Sequence, residues 1–345
     1  MVKVAINGYG RIGRVAHRII LQKHPQLEVV ALNAGSSTDL QGWAYLLKYD
    51  STYGVLPNKI DVVPNTDSNK PDLLGMLVVD GKQIPVFSQK DATLLPWRDL
   101  AVDVVIESTG HFLTTEKAKA HIDAGAKKVV MSAPAKDDTP PFVLSVNDSD
   151  YANEPIVSNE SCTTNCISPV AKVIEDVFGI EKAMMTTIHA YTSDQKLQDG
   201  GHKDYRRARA AAHNIIPTTS GATHAAGQVV PSLQGIFNGL ALRVPVPTGS
   251  LSDFTFLLKK EVSVGDVNTA LKNAAASKAY EGILAVTTDP IVSSDVIGDS
   301  HSSIVDLSLT QVVGGNMVKV IAWYDNEWGY TSRLVEMVEK VGTHE

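Results

Sequence analysis

The stretch Ser158-Asn159-Glu160-Ser161-Cys162-Thr163-Thr164-Asn165-Cys166 holds both cysteines of the chain. It joins a strand-like run, Pro155 to Asn159, to a helix-like one, Ile167 to Phe178, closed by Gly179. Ser161 is a good N-cap residue, so Cys162 falls in the first helical turn, where unpaired N–H groups and the positive dipole end favour an anion. An ordinary thiol is only a few per cent thiolate at neutral pH. A helix N-terminus and a nearby imidazolium lower a cysteine pKa from about 8.5 to roughly 3.5–7.5. Free cysteine is more often a small buried hydrophobe. The Ser/Thr-rich surroundings of Cys162 favour a nucleophile instead, whereas Cys166, one turn on, reads as packing. His189 closes the following strand-like run, Lys182 to Tyr191. A lone histidine carries little meaning, but with a helix-start cysteine upstream it completes a Cys/His nucleophilic pair.

Anion-binding residues follow. Arg207 and Arg209 lie in a polar, arginine-rich stretch, 194–209, too long and aperiodic for a simple connection. Both could belong to a solvated face. Arg243 sits inside the apolar run Ala241-Leu242-Arg243-Val244, where an unpaired charge is costly and an anionic ligand is a natural partner. Thr218-Thr219-Ser220-Gly221-Ala222 is a hydroxyl-and-glycine turn suited to phosphate oxygens. Near the N-terminus, Val2 to Asn7 reads as a buried strand running into Gly8-Tyr9-Gly10-Arg11-Ile12-Gly13 and a helix. Between a first strand and a first helix, such glycines let the backbone approach a pyrophosphate cradled by the helix start. Strand two, Glu28 to Asn33, ends in Asn33-Ala34-Gly35-Ser36-Ser37-Thr38, with no carboxylate before Asp39. The acidic residue that normally binds an adenosine ribose there is missing. Two readings stay open. The loop's N–H and hydroxyl groups could accept a ribose 2′-phosphate, or Asp39 or a backbone group could hold an unphosphorylated ribose.

The elements that must position these residues divide the chain. Buried strands with polar ends, Asp103 to Gly110 and Lys127 to Met131, alternate with a helix from Thr115 to Ala124, which predicts a doubly wound parallel sheet. The segment 53–96 is irregular and receives no detailed assignment. After the cysteine helix come long strands, Lys182–Tyr191, Leu240–Val246, Leu251–Leu258, Ile304–Leu309 and Met317–Tyr324. With helices Asp266–Ala279 and Glu327–Val341 they predict an α+β domain on a mixed or antiparallel sheet. The expected fold is therefore α/β: a dinucleotide domain, 1–161, completed by the C-terminal helix 326–345, and a catalytic domain, 162–325. A length of 345 residues fits two domains, and 43% hydrophobic with 20% charged residues fits a soluble globular protein. A net charge of −7 argues against a dedicated nucleic-acid site. Two cysteines four residues apart cannot build a disulfide framework, so a reducing compartment, the cytoplasm, is expected. No apolar run approaches the ~18 residues of a membrane span, no basic leader precedes the first strand, and no metal is expected.

These residues resemble phosphorylating glyceraldehyde-3-phosphate dehydrogenases over essentially the full length. The matching stretches are INGYGRIGR (6–14), LLKYDS (46–51), ESTG (107–110), MSAPAK (131–136), SCTTNC (161–166), TTIHAYTSDQ (186–195), DYRRARAAA (204–212), ALRVPVP (241–247) and WYDNEWGY (323–330). The resemblance implies a homotetramer that oxidises glyceraldehyde 3-phosphate with inorganic phosphate. Cys162 is then the nucleophile and His189 its acid–base partner. Thr192 and Arg243 would hold the substrate's phosphate, and Ser161, Thr163, Arg207, Ser220 and Gly221 the attacking phosphate. Gly8, Gly10, Arg11, Ile12 and Gly13 would meet the pyrophosphate. Asn33, Ala34 and Ser36 would meet the adenosine ribose, Thr109 and Ser132 would line the cleft, and Asn326 and Tyr330 would serve the nicotinamide. The family's usual Asn-Asp at the end of strand two is Asn33-Ala34 here, and its Leu-Pro before His-Lys-Asp is Gly200-Gly201. Both changes remove groups that would repel or crowd a 2′-phosphate, so NADP is the expected cofactor, preferred or dual with NAD. Glu160 beside Ser161-Cys162 is unusual and bears on the thiol if it points inward. The erythrose-4-phosphate branch of the superfamily shares SCTTNC, while Thr219–Gly221 and Ala190-Tyr191-Thr192 favour the triose enzyme. A catalytically silent nucleotide-binding scaffold fits poorly with an intact Cys/His pair.

Overall fold

The computed structural model describes residues 1–344. They form two compact units. One comprises residues 1–142, 151–160 and the chain from Thr331 onward, and the other residues 143–150 and 161–330.

The first unit contains, in order, β1 (Val2–Asn7), α1 (Arg11–Lys23), β2 (Leu27–Asn33), α2 (Leu40–Lys48), the short pair β3 (Tyr49–Asp50) and β4 (Gly54–Val55), then β5 (Ile60–Pro64), β6 (Leu73–Val79), β7 (Lys82–Phe87), β8 (Val104–Glu107), α3 (Thr115–Asp123), β9 (Lys128–Met131) and β10 (Ile156–Ser158). Its sheet runs β10-β9-β8-β1-β2-β7-β6-β5. The strands from β10 to β7 are parallel, and β6 and β5 extend one edge antiparallel. Near-continuous apolar β1, β8 and β9 are what a sheet covered on both faces requires. β1 lies between β2 and β8, so chain connections diverge there and leave a crevice at the strands' carboxyl ends. The register sets Asn33, Asn7, Glu107 and Met131 in one row at those ends. The segment 53–96, left unassigned from sequence, supplies β4 to β7. Its β5 is half-exposed and polar-interrupted, so no clean period marks it.

In the second unit, α4 (Cys162–Phe178) packs on a mixed sheet built from β11 (Ile180–Ala190), β12 (Ile216–Thr219), β13 (Phe237–Val244), β14 (Ser250–Leu258), β15 (Leu284–Thr287), β16 (Ser303–Asp306), β17 (Gln311–Val313) and β18 (Met317–Tyr324). The order is β12-β13-β11-β14-β18-β16-β15, with β17 beside β18. Two further helices, α5 (Ala222–Val229) and α6 (Val264–Ala275), belong to this unit. The latter stops four residues short of the Ala279 expected from its pattern. Ile167, Val170, Ile174, Phe254, Phe256 and Val320 are completely buried in its core. One register relation matters most: β11 and β13 run parallel with His189 opposite Arg243. The last helix, α7 (Trp328–Thr343), buries Leu334, Val335, Val338 and Val341.

Two buried groups set opposing pH dependences. His17 on α1 is inaccessible, with Nδ1 2.7 Å from the Tyr9 hydroxyl. Burial, helped by the Lys82 charge, holds its pKa down at about 3 instead of 6.5. The unfolded chain therefore binds a proton that the native state refuses, and stability falls as pH drops from 6.5 toward 3. Burial instead raises Glu160 from 4.5 to about 7, so its contribution is lost as pH rises through that window. We predict that His17→Gln flattens the loss of melting temperature below pH 6.5 relative to the parent. Parallel melting curves across that range would contradict this.

Candidate active site

Ser161 caps α4 by accepting the Thr164 N–H at 3.1 Å, and its hydroxyl also meets that of Thr164 at 2.7 Å. This places Cys162 at the first helical residue. Its Sγ lies 3.3 Å from Nε2 of His189, which sits near the end of β11. The His189 Nδ1 lies 2.7 Å from the carbonyl oxygen of Ala190. A carbonyl can only accept, so Nδ1 carries the proton and Nε2 faces the sulfur with a lone pair. Arg243 Nη1 reaches the same carbonyl at 3.1 Å and the Thr192 hydroxyl at 3.2 Å. Its 3.1 Å approach to His189 Nδ1 sets two donors side by side on that one carbonyl and is not a hydrogen bond between them. Among the described residues, no acceptor meets the buried Nε of Arg243.

The electrostatics differ from the simple expectation of a depressed thiol pKa beside an imidazolium. Burial pushes the Cys162 thiol up, although the Arg243 charge and hydrogen bonds with Thr163 oppose it. Burial and Arg243 push His189 down to about 3. Each group alone thus resists becoming charged. Passing the sulfur proton to Nε2 makes both charges together, with their attraction at contact distance offsetting the separate desolvation costs. The site therefore favours proton transfer within the pair over an imidazolium standing ready beforehand.

Beneath the sulfur, the buried Tyr324 hydroxyl joins Thr163 at 3.0 Å and Thr187 at 2.9 Å. Sequence reasoning missed this tie between α4 and β11. Its only signal was an apolar strand, β18, ending in a tyrosine. A second cluster surrounds Arg207, which donates to Asp194 at 2.6 Å, to the Thr218 hydroxyl at 2.9 Å and to Thr219 O at 3.5 Å. Burial acts to raise Asp194, yet the hydrogen bonds from Arg207 and His202 hold it below the usual carboxylate range. Thr218 belongs to β12 rather than to a turn, while Ser220 and Gly221 form the turn into α5. Arg209 is turned away onto Asp199. Asn326 accepts through Oδ1 from Gly249 N–H at 3.2 Å and from the Ser250 hydroxyl at 2.8 Å, which leaves its amide nitrogen as the donor end. Tyr330 is buried in α7.

In the first unit, a cavity of about 590 Å³ is lined by Gly8, Gly10, Asn33, Ala34, Thr109 and further residues including Trp43 and Lys90. That volume suits a cofactor site. Gly8 has φ +95°, and a Cβ there would lie 2.6 Å from the Thr109 nitrogen, so only glycine fits the turn. A Cβ on Gly13 would strike the Gly8 oxygen at 2.1 Å, which explains how closely α1 packs on the strands. At Gly10 nothing lies within 4 Å, an open cradle that a side chain would fill. The residues present therefore fit a dinucleotide. Some expected contacts do not line this cavity. The Arg11 guanidinium is paired with Asp50 and lies 5.2 Å from the Tyr53 ring centroid. Ile12, Ser36 and Ser132 are likewise not among the lining residues. Asp39 caps α2 by accepting Gly42 N–H at 2.7 Å. Among the described residues, no group of three or more His, Cys, Asp or Glu could hold a metal ion, and no helix is long and apolar enough to cross a membrane.

The crevice of a parallel sheet that fits a dinucleotide, and a helix-start cysteine in contact with a histidine in the other unit, suit a dinucleotide-dependent oxidoreductase. Comparison with known proteins narrows the class. Residues 2–115 match the family described as "Glyceraldehyde 3-phosphate dehydrogenase, NAD binding domain", and residues 161–326 match "Glyceraldehyde 3-phosphate dehydrogenase, C-terminal domain". Glyceraldehyde-3-phosphate dehydrogenase of Mycobacterium avium is 51% identical, covering 99% of this chain and 98% of its own. The enzymes of Mycobacterium tuberculosis H37Rv and Streptomyces coelicolor are 52% and 49% identical over the same shares. The chain belongs to the glyceraldehyde-3-phosphate dehydrogenase family.

The two thiols should differ sharply in reactivity. Cys166 is completely buried and raised to about 12, mainly by desolvation, whereas Cys162 keeps an open edge. We predict that iodoacetamide labels Cys162 and spares Cys166 in the native protein, as read by peptide mass spectrometry. Comparable labelling of both would contradict the site described here.

Proposed function

We propose that this chain catalyses the reversible oxidative phosphorylation of glyceraldehyde 3-phosphate to 1,3-bisphosphoglycerate. The observation that carries the reading is the 3.3 Å approach of His189 Nε2 to Cys162 Sγ, with Nδ1 anchored on Ala190 O. His189 takes the thiol proton while Sγ adds to the aldehyde carbon, then returns that proton to the oxyanion so formed, giving a hemithioacetal. The Cys162 backbone N–H at the start of α4, together with His189, steadies the resulting oxygen charge, a term typically worth a few kcal/mol. When bound, the nicotinamide supplies the hydride acceptor. His189 removes the hydroxyl proton as the carbon is oxidised, leaving a thioester on Cys162. An oxygen of inorganic phosphate then adds to the thioester carbon, and the sulfur leaves, taking its proton back from His189.

Anion recognition follows the two arginine clusters. Arg243, held with Thr192, serves the substrate's own phosphate, and its acceptor-free Nε supports this role. Arg207 serves the attacking phosphate with Ser161, Thr163, Ser220 and Gly221. Its pairing with Asp194 keeps the guanidinium in a fixed orientation until an anion competes for it. Asn326 donates its amide to the nicotinamide carboxamide, Tyr330 backs the ring and Ser132 borders the cleft. Arg11 and Ile12 act through backbone N–H groups, since the Arg11 side chain is engaged with Asp50.

We also infer that NADP is used, preferred or alongside NAD. Ala34 stands where a carboxylate would repel a 2′-phosphate, Ser36 and Ser37 offer hydroxyls nearby, and none of the cavity's lining residues is acidic. Lys90 and His111 line the same cavity. Capping α2 occupies Asp39, which supports the absence of a ribose-binding carboxylate. The reading extends to a cytoplasmic homotetramer, and exposed Met184, Ile215 and Leu240 support burial against further copies.

Cys162→Ala should abolish phosphate-dependent reduction of the cofactor. His189→Asn should slow it by about 10²–10⁴, the usual contribution of general acid–base catalysis. Undiminished turnover in Cys162→Ala would refute the assignment. For the cofactor, kcat/KM with NADP and NAD should be comparable or favour NADP in the parent. Ala34→Asp should shift the ratio toward NAD by about tenfold or more, because like-charge juxtaposition costs several kcal/mol. A strong NAD preference in the parent, or an unmoved ratio in the variant, would overturn the NADP reading.

A further inference from the structure

Behind the dinucleotide cavity lies a buried polar chain that the reaction itself does not use. Glu107, at the carboxyl end of β8, is 2% exposed and is not among the cavity's lining residues. Its Oε1 accepts from the Thr109 backbone N–H at 2.7 Å and from the Thr109 hydroxyl at 2.5 Å. Its Oε2 accepts from Asn7 Nδ2 at 2.5 Å and lies 3.0 Å from His121 Nε2. On the far side, the Trp97 indole N–H donates to His121 Nδ1 at 3.1 Å. An indole can only donate, so His121 Nδ1 accepts and Nε2 must carry the ring proton toward Glu107. Asn7 Nδ2 lies 3.2 Å from that Nε2, two donors side by side on the same Oε2.

The same chain reaches the cavity at both ends of the crevice. Asn7 Oδ1 accepts from Asn33 Nδ2 at 2.7 Å, and Asn33 in turn holds the Gln89 backbone through its N–H at 2.9 Å and its carbonyl at 2.8 Å. On the other side, Thr109 Oγ, having donated to Glu107, accepts the His111 N–H at 3.1 Å. Asn7, Asn33, Gln89, Thr109 and His111 all line the dinucleotide cavity. One carboxylate therefore sits behind the walls on both sides of β1, in the row of strand ends set by register. Its side chain meets only donors.

We propose that Glu107 is the positioning residue of the dinucleotide site, a buried acceptor that fixes Thr109, Asn7 and, through Asn7, Asn33 in the geometry that receives the cofactor. This rests on the reading of the first unit as the dinucleotide-binding unit. Preorganised walls raise affinity because the ligand no longer has to order them. Replacing the carboxylate with an amide of the same shape forces an N–H2 group against two donors, on the Thr109 side or on the Asn7 and His121 side. Whichever way it turns, one wall loses its anchor.

The test is calorimetric titration of the purified full-length protein with NAD and with NADP, together with steady-state kinetics. Glu107→Gln should weaken dinucleotide binding and raise the cofactor KM by about tenfold or more, the scale of a stranded buried donor. The kcat at saturating cofactor and the rate of Cys162 alkylation should stay near parent values. If Glu107→Gln does not fold, His121 carries the test from outside the cavity. His121→Leu removes the donor to Oε2 and should weaken binding, while His121→Gln, which can still donate, should restore most of it at equal melting temperature. Unchanged affinity in Glu107→Gln, a loss confined to kcat, or equal affinities in the two His121 variants would overturn the proposal. Failure of the parent itself to bind either dinucleotide would instead overturn the underlying reading of this unit.

Discussion

The hydrogen bond from His189 Nδ1–H to the Ala190 carbonyl decides what the rest of the site can do. It settles which ring nitrogen holds the proton, and so turns a lone pair toward sulfur. Were the tautomer reversed, Nε2–H would donate to sulfur across 3.3 Å and the thiol would find no lone pair there to take its proton. Arg243 reinforces the arrangement by donating to the same carbonyl, and the parallel register of β11 and β13 keeps it opposite the ring. An imidazole facing a thiol, a guanidinium and a carbonyl anchor are thus products of one strand pairing. The helix start then presents Cys162 to that edge, and Tyr324 fastens the helix to the strand beneath it.

Burial shapes this chemistry in a particular way. Desolvation disfavours a charge on either the thiol or the imidazole alone, and Arg243 acts on both in opposite senses, drawing sulfur toward the anion while opposing a cationic ring. The charge-neutral transfer of one proton between them escapes most of that cost. In the other unit, polar groups at the strand ends follow a similar logic on a larger scale. The cost of burying the row Asn33, Asn7 and Glu107 is offset because each acceptor meets a donor. Both units place their polar groups where apolar strands end, which lets the hydrophobic core set positions that flexible loops could not hold.

Much of this was legible in the chain. Apolar strands ending in glycine-rich or polar residues, the Ser161 cap and the place of Arg243 inside a strand were marked by local patterns of period and capping. What was hidden depends on register or on distance in sequence. Nothing local says that His189 lies opposite Arg243, that Tyr324 reaches Thr163, or that Trp97 determines the proton on His121. The edge strand β5 escaped because Asp61 interrupts its short apolar run and most of it is exposed. Arg11 shows the converse limit, since a side chain beside the glycine turn turned out to be held by Asp50 some forty residues later.

The most direct test of the account is to mix the enzyme with glyceraldehyde 3-phosphate and oxidised dinucleotide in the absence of phosphate, then quench in acid and weigh the peptide bearing Cys162. The account predicts one equivalent of reduced cofactor per active chain and a matching 3-phosphoglyceryl thioester on Cys162, discharged when phosphate is added. Reduced cofactor accumulating with no acyl group on that sulfur would contradict it.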